Sequence, residues 1–125
     1  MNLVESLNQI INEAMWDYDS PEYKDMMSKN NALVSCMEEN CNKLGFELTD
    51  RHRLKDGTGR TVFVEYKNNK GNYNHEISLR FQSGELRYII NQEGKQDILT
   101  WQNVKTPEDI NKAFEEIIPK FEGVE

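Results

Sequence analysis

Residues 75–92 read HEISLRFQSGELRYIINQ. Ile77, Leu79 and Phe81 alternate with polar residues up to Ser83-Gly84, and Leu86, Tyr88 and Ile90 take up the alternation beyond it. Period-two alternation on both sides of a two-residue glycine turn is the pattern of an antiparallel hairpin with one buried face. Upstream, Val62, Val64 and Tyr66 mark a strand over Thr61 to Lys67, joined to the hairpin by the polar loop Asn68 to Asn72. Before that, Phe46, Leu48 and Leu54 indicate a first strand whose middle is blurred by Arg51, His52 and Arg53, and Asp56-Gly57 with Gly59 turns the chain. Downstream, Glu93-Gly94 turns into a short fifth strand, Gln96 to Gln102, holding Ile98, Leu99 and Trp101. Connections this short favour pairing of sequential neighbours, so the stretch predicts a meander.

The flanks carry a different period. Leu3, Leu7, Ile10 and Ala14 predict a first amphipathic helix. Ser20-Pro21 opens a second, with Ser as cap and Pro at the first helical position. Its seam reads Tyr23, Met27, Asn30, Val34, Met37, Cys41, Leu44, and Gly45 stands where a C-terminal cap belongs. That spacing suits a coiled-coil-like contact, either within the chain or in a homodimer through Tyr23–Leu44. Thr106-Pro107 repeats the start signal, Ile110, Ala113, Phe114, Ile117 and Ile118 form the stripe, and Pro119 is expected to end or kink this last helix. The fold class is therefore α+β: two N-terminal helices, an antiparallel meander of four to five strands and one C-terminal helix, with the helices packed on one sheet face. A length of 125 residues predicts one domain over residues 1–125.

Composition narrows the setting. Two cysteines make no disulfide framework, and no apolar run is long enough for a membrane span, so a cytoplasmic protein without membrane contact is expected. The net charge of −7 is unevenly spread. Residues 1–50 carry −7, residues 51–106 carry +4 and residues 107–125 carry −4, so acidic flanks enclose a basic strand region.

Chemistry-bearing constellations are sparse. Glu65-Tyr66-Lys67 at the end of an apolar strand matches the Glu-x-Lys element of Mg²⁺-dependent nucleases, where carboxylates hold the metal and Lys supports the attacking water. The partner acid, Asp56, sits in a turn, and a loop rather than a helical crossover follows, so a Glu–Lys pair on a solvated strand face is the preferred reading. His52 with Asp50 and His75 with Glu76 lack a serine or cysteine in a nucleophile setting, and both histidines are expected at partly exposed strand ends. Cys36 and Cys41 point about 140° apart on a helix and read as packing residues. The Asp56-Gly57-Thr58-Gly59-Arg60 loop precedes a strand, not a helix, and reads as a turn. No catalytic residue, metal ligand or cofactor is assigned.

The second sheet face carries the functional expectation. If the alternating apolar residues face the helices, the opposite side displays Arg51, Arg53, Phe63, Lys67, Arg80, Arg87 and Ile89 with Glu65, Ser78 and Gln82. Such a face suits an acidic protein partner with Phe63 and Ile89 as apolar anchors. The reading is a small non-enzymatic protein acting through protein contacts: an inhibitor, immunity protein, adaptor or chaperone. A single-stranded nucleic acid bound by stacking and phosphate contact is the alternative, weakened by the acidic helices. The Mg²⁺ nuclease on Glu65 and Lys67 ranks third.

Overall fold

The structure, a computed structural model, describes residues 17–124. The predicted helix on Leu3, Leu7, Ile10 and Ala14 lies outside the described residues. Among those described, one helix precedes the sheet, α1 (Pro21–Lys43), and one follows it, α2 (Pro107–Glu122). Between them run β1 (Glu47–Arg53), β2 (Thr61–Lys70), β3 (Tyr73–Arg80), β4 (Glu85–Gln92) and β5 (Lys95–Trp101). They form one antiparallel sheet in the order β1-β2-β3-β4-β5, the meander expected from the short turns.

Turn and cap chemistry sets the boundaries. Ser20 caps α1 by accepting from the Tyr23 amide at 3.2 Å, and Pro21 follows. Gly45, just past the helix, takes φ +81°, a left-handed value that costs glycine little. Gly84 is held more tightly. Its φ is +70°, and a Cβ there would stand 2.9 Å from the Val104 amide nitrogen, which itself donates to the Gly84 carbonyl at 2.8 Å. A side chain at position 84 would break the contact that leads β5 into α2. Thr106 and Asp109 complete a reciprocal capping box at the start of α2.

Pro119 does not end α2, because the helix continues through it to Glu122. Proline removes one intrahelical donor, but the final turn is tied down by other means. Phe121 is buried in the core, Gly123 N donates to the Pro119 carbonyl at 3.0 Å, and Lys70 Nζ donates to the carbonyls of Phe121 and Glu122 at 2.7 and 3.2 Å. A lysine from β2 thus satisfies acceptors that a helix end leaves open.

Both helices bury their stripes on the same sheet face. Val34, Met37 and Cys41 of α1 and Ile110, Phe114 and Ile117 of α2 meet Val64, Tyr66, Ile77, Leu79, Leu86 and Tyr88 in one core. Val34, Met37 and Cys41 of the α1 seam are thus used within the chain, with Leu44 packed against them, while Tyr23 and Met27 in its first half are only half-buried. Asn30 on that seam has a separate job. Its amide accepts from Thr61 N at 3.0 Å and donates to Thr61 O at 2.7 Å, fixing the start of β2 to the helix. Cys36 and Cys41 are buried free thiols, as the helical spacing implied. Burial of Cys41 pushes its pKa far above the ordinary thiol value. Burial also raises Cys36, whose Sγ lies 3.3 Å from Asn111 Oδ1.

Candidate functional site

The face away from the helices is organised in rows, because directly opposed residues of an antiparallel ladder share a side. One row runs His52, Phe63, Arg80, Glu85. The next runs Asp50, Glu65, Ser78, Arg87, Thr100, and a third runs Glu47, Lys67, Glu76, Ile89, Ile98. Among the described residues no helix covers this face.

Two expected members change place. A register shift between Leu48 and Asp50 leaves Thr49 unpaired and rotates the rest of β1 by one position. Arg51 then stands opposite the core residue Val64, on the helix side, and its Nε donates to Thr61 Oγ1 at 2.9 Å. His52 takes the place on the open face that Arg51 was expected to hold. Arg53 lies beyond a second irregularity, opposite the buried Thr61. Nothing in the spacing of TDRHR announces an inserted residue, so His52 was missed. Glu76 and Glu85 were missed for a lesser reason: each lies two residues from an expected face residue, Ser78 or Arg87, and plain alternation finds them.

These placements alter the electrostatics. The face is mixed in sign rather than basic, with Glu47, Asp50, Glu65, Glu76 and Glu85 set among Lys67, Arg80 and Arg87. Lys67 Nζ lies 3.4 Å from Glu65, and Arg87 Nε lies 2.6 Å from Glu85. The Glu65 and Glu76 carboxyls hydrogen-bond to each other. Burial raises the pKa of Glu76 above its ordinary value, and the neighbouring Glu65 adds to it. Burial alone would raise Glu65 as well, but hydrogen bonds with Glu76, Thr49 and Lys67 outweigh it and hold Glu65 low. Glu65 and Lys67 do share a face, as a nuclease would need. The acid beside them is Glu76 on the following strand, while Asp56 stays in its turn, accepting from Thr58 N at 3.0 Å. β2 passes to β3 through the Gly71-Asn72 turn, with no helical crossover.

Arg80 is the exception among the cations of this face. Glu85, opposite it in register, gives its carboxylate to Arg87, and no carboxylate forms an ion pair with Arg80 among the described residues. Its guanidinium lies over the Phe63 ring at 5.6 Å. On the other flank the His52 ring is 5.2 Å from Phe63, and His52 Nε2 lies 2.9 Å from Asp50 Oδ2. His52, Phe63, Arg80, Gln82 and Ser83 line a shallow concavity of about 520 Å³ at this corner of the sheet. An aromatic floor beside an uncompensated cation is chemically suited to a carboxylate or to an acidic side chain with apolar neighbours.

His75 is not the partly exposed strand-end residue expected from sequence. It is buried on the helix side, with Nδ1 2.8 Å from the Tyr88 hydroxyl and Nε2 without a partner. Tyr88 stacks on it at 5.8 Å, and Phe121 meets it edge-on at 4.8 Å. Burial, with a smaller push from Lys70, lowers its pKa and keeps the ring neutral. This histidine belongs to the core.

Compared with known proteins, the chain matches no family model, no curated protein and no solved structure at a significant level. No described helix is long and apolar enough to cross a membrane. Among the described residues no group of three or more His, Cys, Asp or Glu is placed to hold a metal ion.

Proposed function

We propose that this chain is a small non-enzymatic binding protein that acts through protein contacts, as an inhibitor, immunity protein, adaptor or chaperone does. Its contact surface is the sheet face away from the helices, centred on Phe63 and Arg80. One observation carries the reading: Arg80 lies over an aromatic ring on a face that no described helix covers, without a carboxylate partner among the described residues, while Lys67 and Arg87 beside it are neutralised. Aromatic and arginine side chains at a concave spot are the groups that dominate the energy of protein interfaces. Phe63, Arg80 and Ile89 are the core of the surface, and Lys67 and Arg87 its polar surround. Arg51 and Arg53 fall outside it.

Nucleic-acid binding is the lesser reading, because five carboxylates among three strong bases give a polyanion little to bind. Arg80→Glu combined with Arg87→Glu tests the proposal. Affinity capture with this variant is expected to lose the partner that wild type retains, with the thermal unfolding of the variant unchanged. Retention of that partner by the folded variant would remove the sheet face from consideration.

A further inference from the structure

The two edges of the sheet are built differently. At β1 the ladder is broken twice, and Glu47, Asp50, Arg51, His52 and Arg53 crowd seven residues. Bulges and charges are the devices by which edge strands resist pairing with another chain. At β5 seven consecutive residues pair with β4 without interruption, from Trp101 opposite Leu86 to Lys95 opposite Gln92. No described backbone group pairs with the other side of β5. The middle of this edge is Ile98, which is 51% exposed and stands beside Ile89 on the open face.

We infer that β5 is a self-association edge, on which a second copy of this chain adds its own β5 antiparallel to give a continuous ten-stranded sheet. Charge complementarity selects the occupant and the register. With Ile98 opposite Ile98 of the second copy, Lys95 stands opposite Trp101 and Gln96 opposite Thr100. On the helix side, Trp101 Nε1 donates to Glu116 of α2. Lys95 of one copy therefore arrives beside Glu116 of the other, twice by symmetry. Neither group has an ion-pair partner among the described residues of its own chain. On the open side the seam joins Ile89 and Ile98 of both copies into one apolar row, with only Gln96 and Thr100 flanking it. Asp97, the remaining charge of the edge, is already paired with Lys120 at 3.4 Å.

The helices leave room for this arrangement. α2 packs over β4, so the two copies of α2 would lie three strand spacings apart, roughly 14 Å. Packed helices need only about 8–10 Å.

Sedimentation velocity across a range of protein concentrations tests the inference, with circular dichroism as the check on folding. Wild type is expected to pass from monomer to dimer as concentration rises. Ile98→Lys sets two like charges face to face at the symmetry axis and should leave a folded monomer. Lys95→Glu should raise the dimer dissociation constant by about tenfold, the sum of two lost ion pairs and the repulsion that replaces them. Lys95→Glu combined with Glu116→Lys should restore most of that loss. A wild type that stays monomeric throughout would overturn the inference. So would a dimer indifferent to Ile98→Lys, or a double variant no tighter than the single one.

Discussion

The two faces of the sheet share one backbone ladder and differ in how they are completed. On the helix side the strands supply Val64, Tyr66, Ile77, Leu79, Leu86 and Tyr88, and the helices cover them. On the other side the same strands supply Phe63, Glu65, Lys67, Arg80, Arg87 and Ile89, and nothing described covers them. Burial stabilises the first face through apolar area, at about 25 cal/mol per Å². The second is quieted by neutralising charges in pairs, which adds little stability because exposed ion pairs contribute about 0–1 kcal/mol. Substitutions on the open face are therefore expected to cost the fold little, and those on the helix side to cost it much.

Paired substitutions give the largest test of that contrast. Met37→Ala or Leu79→Ala, both fully buried, should each cost about 2–5 kcal/mol in urea unfolding. Arg80→Ala and Arg87→Ala should each stay within about 0.5 kcal/mol of wild type. Comparable losses on the two faces would break the comparison.

Tyr88→Phe comes next. It leaves the second ring nitrogen of the buried His75 without a partner, a cost of about 1–3 kcal/mol by the same assay. A neutral result would mean that His75 is not held by that hydroxyl.

The acid dependence of stability is a smaller effect of the same cluster. The folded pKa of His75 is lowered, so protonation favours the unfolded chain. Its contribution is complete above the unfolded value, about pH 6.5, and is lost as pH falls from there toward the folded value. Unfolding free energy should therefore decline below that pH in wild type and decline less steeply in His75→Phe. Parallel profiles would show that the buried ring does not titrate on unfolding.

Much of this architecture is readable in the sequence, because the signals are local. Ser83-Gly84 between two alternating runs fixes a hairpin, and Ser20-Pro21 and Thr106-Pro107 fix two helix starts within a residue. What escapes is what depends on contacts distant in sequence. Pro119 looks like a helix terminator until Lys70, from β2, is found holding the carbonyls beyond it. His75 looks solvated until Phe121, from the far end of the chain, is found against its ring. The site was legible to the same degree. Phe63, Lys67, Arg80, Arg87 and Ile89 follow from alternation, whereas Arg51 was misplaced because an inserted residue in β1 leaves no trace in composition or period.

The central claim is that the face bearing Phe63 and Arg80 is the working surface. The most direct measurement is quantitative affinity capture from the native host, comparing wild type with the Arg80→Glu/Arg87→Glu variant at equal folded concentration. The account predicts a partner retained by wild type and lost from the variant. An identical retained set for the two proteins would contradict it.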